Sequence, residues 1–443
     1  MTETHQLKKI LGVSFGVAVT IGGMIGLGIL RTPGAVAAEL SSVWLILLVW
    51  TVGGIYALLG VFSAAELGVS IPRTGGWYSF ARRAFGEYAG FAAGWMDWIA
   101  YPATIAIAAI TTAQYLALLF PGLTNYVSLT AIAIVLAVTF VNCLGLRSGS
   151  RFQEILSFLK AFVFLAVIVA AFVFTGEAES STQAAESVRP AIPLATALII
   201  ALQAVIYTYD GWYSAIYFSE ECTDTSSIPR SMVIAVIFVT IIYVLFNAAL
   251  LYSLPLSQLA SSTLPVADVA NKIFGIYGDR VITVVALVTL LSILNANLLT
   301  GPRILFALSR DGLFTKSAGK VNEGGTPANA LFITVAVSIP VILTGSFETI
   351  LAVTAFLFIA LYVSGFLAVI VLRYREADLA RPYKAFGYPW TTGIVLLGSF
   401  AFLIGAIVTD TLNALYAIGL MILSLPFYYL VKRTRKPAVE SLP

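Results

Sequence analysis

Charge is what this chain lacks most: only 11% of its 443 residues are charged, while 59% are hydrophobic. Soluble domains carry about 25% charged and about 45–50% apolar residues. A soluble core would leave that much apolar surface with nowhere to go, and the mean hydropathy of +0.95 agrees. The chain reads as an all-α integral membrane protein. Histidine is nearly missing too. The only one is His5, in the polar stretch before the first apolar run, which excludes a histidine proton relay or a His-based metal site. Of the two cysteines, Cys143 falls in an apolar span and Cys222 in a loop, without metal-ligand spacing. No metal and no cofactor are expected. A clustered His/Cys/Asp set, a Ser–His pair and a phosphate-binding loop are all lacking, which argues against an enzyme. No nucleic acid partner is expected either.

Apolar runs of about 20 residues read as membrane spans. About twelve are expected, near 12–32, 43–66, 90–119, 126–145, 154–175, 193–218, 231–253, 279–306, 329–345, 347–372, 391–409 and 411–431. They sort the cations sharply. Of the 25 Lys and Arg, one face keeps only Arg31, Arg189, Lys272 and Arg280, Lys160 lies inside a span, and all others fall on the opposite face. Positive residues favour the cytoplasm, so both termini are expected there, in a multi-pass protein of the cell membrane. A first apolar run long enough to span argues against a cleavable signal peptide. The basic cluster at 432–436 serves as a stop-transfer anchor among the membrane lipids.

Two spans are interrupted. The first carries Gly22, Gly23, Ile25, Gly26, Leu27 and Gly28 in mid-span, and the sixth carries Tyr209–Asp210–Gly211–Trp212. Glycine costs about 1 kcal/mol relative to alanine within a helix. Irregular backbone at membrane depth survives only where protein buries it or where it lines a cavity. Interrupted spans in matching positions of two halves point to a transporter built from inverted repeats; tight helix packing is the alternative for either cluster alone. The expected organisation is a tail (1–11), a five-span repeat (12–175), a second such repeat (193–372), two added spans (391–431) and a C-terminal tail (432–443). A loop helix is expected near 266–274.

Two ionisable residues stand out in the spans. Lys160 lies six residues into the fifth span, and a cation at a helix centre costs roughly 2.5–3.5 kcal/mol on insertion scales. It is a functional candidate unless it snorkels to the interface, roughly 9 Å away at 1.5 Å per residue. Asp210 reads as a counter-charge or gate residue, as an N-cap for the second half of span six, or as both at once. Asp97 and Glu66 lie nearer the ends of their spans, where loop anchoring is the simpler role.

These motifs, in order, resemble the amino acid–polyamine–organocation superfamily, particularly the L-type amino acid transporters and their bacterial relatives. The matching segments are Met24–Leu30, Ala65–Leu67 with Ile71–Gly76, Tyr209–Trp212, Gly301–Arg303 with Arg310–Gly312, and Arg381–Lys384 with Gly387–Pro389. Leu27 and Leu30 depart from the pattern, as does Trp77, which stands in the place of a common glutamate. The resemblance implies an all-helical fold of about twelve spans in a 5+5 inverted repeat with helices 1 and 6 broken. It also implies alternating-access transport of amino acids, neutral ones foremost, without sodium; a channel or membrane receptor is the alternative from a different class.

On that reading, backbone around Gly26, Leu27 and Gly28 holds the substrate carboxylate, while carbonyls near Ile25 and Tyr209 receive the ammonium. Tyr101, Trp212 and Tyr213 close on the side chain, with Asp210 and Gly211 beside them. The resemblance further implies that Lys160 takes the place of a cation site, linking carbonyls near Gly22 and Gly23 to polar atoms of span eight such as Ser292 or Asn295. Whether Lys160 carries a proton, and so whether transport is exchange or proton symport, stays open, and a polyamine or cationic amino acid carrier is the runner-up. The loop 120–125 has no cysteine, so no disulfide-linked heavy chain is expected.

Overall fold

The structure is a computed structural model that describes residues 6–26, 28–40, 42–176, 193–344 and 347–434. Apolar runs rich in Leu, Ile, Val and Ala become helices because membrane depth demands internally paired backbone. In chain order these are α1 (Val13–Met24), α2 (Gly28–Glu39), α3 (Val43–Ser70), α4 (Trp77–Phe85), α5 (Glu87–Leu119), α6 (Val127–Cys143), α7 (Leu146–Phe174) and α8 (Leu194–Thr208). There follow α9 (Ser227–Ser253), α10 (Leu256–Ser261), α11 (Pro265–Phe274), α12 (Gly278–Arg310), α13 (Ala328–Thr344), α14 (Phe347–Arg375), α15 (Trp390–Thr409) and α16 (Thr411–Thr434). Among the described residues the only β feature is an isolated bridge between Leu11 and Cys222.

Nine described helical stretches are long and apolar enough to cross a membrane, or ten with α1 and α2 counted as one span bent by 47°. The expected sixth and ninth spans correspond to two shorter apolar helices, α8 and α13. The expected loop helix is α11, opened by Pro265, a residue suited to the first helical position because its missing N–H has no intrahelical role there. The polar stretch after Ile71 is more ordered than its composition suggests. Its α4 turns Trp77, Phe80, Ala81 and Ala84 inward, while Arg82 and Arg83 reach acidic partners.

The longest single helices, α5 and α12, have 33 residues each and pack along one another. At 1.5 Å per residue each is roughly 50 Å long, more than the roughly 30 Å hydrocarbon thickness. Phe162, Val169, Leu397 and Ile404 are exposed on helix surfaces suited to lipid. The described residues nearest the two termini, around Ile10 and Tyr428, lie on one side, called here the tail side. The N–H groups of Ile10 and Leu11 donate to the Glu221 carbonyl at 3.0 Å, and Tyr428 near the other end donates to Glu87 at 2.9 Å, beside Arg82.

Candidate functional site: a cavity between two broken helices

Helix α1 stops at Met24 because Ile25 turns to extended backbone, with φ −77° and ψ 99°. That turn frees carbonyls that would otherwise accept intrahelical bonds. The structure gives them other donors. Lys160 on α7 donates from Nζ to the carbonyls of Gly22 at 3.1 Å and Ile25 at 2.8 Å, and its side chain is buried. It does not snorkel. Tyr243 on α9 donates its hydroxyl to the Met24 carbonyl at 2.8 Å and lies 3.3 Å from that of Thr208. Those are the last residues of α1 and α8, so one hydroxyl bridges both helix ends.

Helix α8 gives way at Tyr209 to an irregular turn, followed by a 3₁₀ helix over Ser214–Glu221. Gly211 sits at φ +94°, where an added Cβ would come within 2.5 Å of the Gly23 backbone carbon. Only glycine meets both demands, the left-handed backbone and the close approach. The two breaks therefore touch.

A cavity of about 350 Å³ opens beside them. Of the residues expected at the site, Gly23, Gly26, Gly28, Tyr101, Asp210, Gly211 and Tyr213 line it. Others stand behind the wall. Trp212 stacks on Phe366 with an interplanar angle of 4°. Tyr209 donates to the Trp50 carbonyl at 3.0 Å. Gly22 faces Gln153, and the Ile25 carbonyl, expected to receive a substrate ammonium, already accepts from Lys160. Leu27 lies outside the described residues, as do His5, Arg189, Arg435 and Lys436.

Asp210 accepts a hydrogen bond from Tyr362 of α14. The residue that precedes the following 3₁₀ helix is Tyr213, which makes no side-chain cap, and Asp210 also takes a backbone hydrogen bond from Gly211. Asp97 accepts from Tyr217 at 2.8 and 3.0 Å. Glu66 anchors a loop, pairing with Arg373 at 2.9 Å and taking the Ala385 N–H at 2.6 Å.

Ser292 and Asn295 meet Gln153 instead of Lys160. Gln153 donates to Ser157 at 2.9 Å and to Ser292 at 3.2 Å, and accepts from Asn295 at 2.8 Å. Asn295 accepts in turn from Asn142 at 2.8 Å, and Ser157 donates to the Ala18 carbonyl at 2.7 Å. This buried network ties α1, α6, α7 and α12 together one to two turns from the lysine. Both hydrogen bonds of the Lys160 ammonium go to the first break, and among the described residues none reaches span eight.

Two layers close the cavity on the tail side. Tyr101, Tyr213 and Phe358 form part of its lining. Behind them Trp77 packs against Trp212, Tyr213 and Tyr362 at centroid distances of 6.2, 5.5 and 5.9 Å. Ion pairs follow. Arg303 and Glu221, both buried, are joined at 2.6 and 2.9 Å. Arg310 meets Glu220 at 2.7 Å, and Asp311 takes Arg73 at 3.1 Å, Arg82, and the Tyr78 hydroxyl at 2.7 Å. Burial acts to raise the Asp311 pKa, yet the bonds from Tyr78 and Arg82 outweigh it and hold the carboxyl below its ordinary 3.8. On the far side the cavity reaches Thr32 and exposed Arg31.

Sequence reasoning missed Tyr207, Thr208, Asn297 and Phe358, which also line the cavity. Asn297 carried a usable signal as a carboxamide in mid-span; Phe358 carried none, being one of 28 phenylalanines.

A cavity at the junction of two broken, touching helices, inside an all-helical membrane bundle, is the architecture of a permease. A family model described as amino acid permease matches residues 12–429, and the chain belongs to that family of membrane transporters. Its relatives include the serine/threonine exchanger SteT of Bacillus subtilis (strain 168), 29% identical over 440 residues, covering 98% of this chain and 99% of that protein. The large neutral amino acids transporter small subunit 2 of Mus musculus is 30% identical, covering 96% of this chain and 81% of its own length. The b(0,+)-type amino acid transporter 1 of the same species is 28% identical, over 97% and 89% respectively.

Proposed function

We propose that this amino acid permease is a sodium-independent exchanger of neutral amino acids. It works by alternating access in the cell membrane, with the tail side cytoplasmic. The observation that carries the proposal is the buried Lys160 ammonium on the Gly22 and Ile25 carbonyls. A resident cation at the end of α1 takes the role that a bound sodium would otherwise fill. Twelve spans, ten of them in two five-helix repeats opened by α1/α2 and α8, accommodate the contact between the two breaks.

The N-terminus of α2 points N–H groups and the positive end of its dipole at a substrate carboxylate. The freed carbonyls of the second break receive the ammonium. Neutral substrates are favoured over polyamines because Arg31 sits at the far end of the cavity and Asp210 already accepts from Tyr362. The absence of cysteine from 120–125 supports action without a disulfide-linked heavy chain.

The test is uptake of radiolabelled neutral amino acids into sodium-free proteoliposomes, empty or preloaded with unlabelled amino acids. Uptake only into preloaded vesicles is the expected result. Uptake into empty vesicles that follows an imposed proton gradient would replace exchange by symport, and competition by polyamines alone would overturn the neutral assignment.

A further inference from the structure

Three positions one turn apart define a single face of α12: Ile293, Asn297 and Gly301. An added Cβ on Gly26 would lie 3.3 Å from Ile293 Cδ1, and one on Gly301 would lie 2.8 Å from Tyr101 Cβ. Asn297 is thus set midway between the first break and Tyr101, roughly 6 Å along the helix from each neighbour, and it lines the cavity.

Its carboxamide has no hydrogen-bond partner among the described residues, and this separates it from the other Asn, Ser and Thr side chains of the lining. Thr104 donates to the Ala100 and Tyr101 carbonyls, Thr208 to Ala204, Ser214 to Gly211 and Thr300 to Ala296; Thr32 meets Thr208 at 2.9 Å. Asn295, two residues away, is held by Gln153 and Asn142. Asparagine in a membrane span commonly serves as interhelical glue. Asn295 does so, and Asn297 presents its donor and acceptor to the cavity instead.

We propose that Asn297 reads the side chain of the transported amino acid. It favours side chains bearing a carboxamide or hydroxyl over apolar ones of the same shape. The inference rests on the amino-acid reading of the cavity given above. With the substrate carboxylate at the α2 N-terminus, the side chain extends past Ile293 toward Asn297. A carboxamide or hydroxyl there exchanges hydrogen bonds with the amide. An isopropyl group displaces water from the amide and offers nothing in return.

Thermal stabilisation of the purified protein in detergent, titrated with each amino acid, tests this without a radiolabel. Two isosteric pairs are decisive: asparagine against leucine and threonine against valine. The wild type is expected to bind the polar member roughly three- to tenfold more tightly. Asn297→Leu should erase or invert both ratios, and Asn297→Ser should keep their direction. A wild type preferring leucine and valine overturns the inference even if no variant can be purified. So do unchanged ratios in a monodisperse Asn297→Leu protein. In both cases the amino-acid reading survives. Stabilisation by no amino acid would remove that reading and this inference together.

Discussion

Lys160 and Ile25 are joined by a hydrogen bond of 2.8 Å from ammonium to carbonyl, so a side chain of α7 completes the backbone of a broken helix. Charge-assisted hydrogen bonds contribute about 1.5–3 kcal/mol each, and the same ammonium also serves Gly22. Lys160→Met fills most of the space but leaves both carbonyls without that donor. Exchange in proteoliposomes should fall at least roughly tenfold, while the protein still inserts and purifies as a single species. Wild-type exchange by such a variant would remove the lysine from the transport cycle.

Gly28 faces Thr208, where an added Cβ would stand 3.1 Å from Cγ2 and 3.2 Å from Oγ1. Gly28→Val places further methyls at the mouth of α2, where the substrate carboxylate is expected. Amino-acid affinity should drop by about tenfold or more, given a cost of about 1–3 kcal/mol for overpacking. Isothermal titration on the purified variant would show it, and unchanged affinity would move the carboxylate site elsewhere.

The Arg303–Glu221 pair is buried on both sides. Removing one partner of such a pair typically costs about 3–5 kcal/mol, whereas replacing both with apolar groups of similar volume is often close to neutral. Glu221→Leu should lower the melting midpoint in detergent markedly, and adding Arg303→Met should recover most of the loss. If the double variant melts no higher than the single one, burial of an unpaired charge is not the cause.

Asp311 gives a pH prediction. Its carboxyl is held below 3.8, so its contribution is fully present above that value and disappears only as the pH falls through the lower folded-state value. The difference in melting midpoint between wild type and Asp311→Asn should stay flat from about pH 5 to about pH 8 and shrink only below about pH 4. A difference that changes near neutrality would assign the titration to another group.

The features legible beforehand were those that contrast with their surroundings. Lys160 is a cation set deep in an apolar span, and the glycine clusters and Asp210 interrupt sequences that otherwise favour unbroken helices. Tyr243 and Tyr362 were not legible. Tyrosine is common here, with 20 copies, and which hydroxyl reaches a broken helix depends on how α9 and α14 are rotated in the bundle. The same limit hid Gln153, whose partners on other helices belong to α1 and α12. Trp77 was noticed only as a departure from a family pattern; its place in the ring layer follows from α4 turning it inward.

Trp77 has a thermodynamic consequence. It is fully buried among Trp212, Tyr213, Tyr362 and Gly365, and its indole Nε1 has no partner among the described residues. In the proposed alternating-access cycle, opening the cavity toward the tails would hydrate these ring faces. Exposure of apolar surface raises heat capacity by about 0.45 cal/K/mol per Å², so the balance between the two facing states is curved in temperature. A glutamate at this position would tie that balance to salt and proton concentration. The indole ties it to warmth.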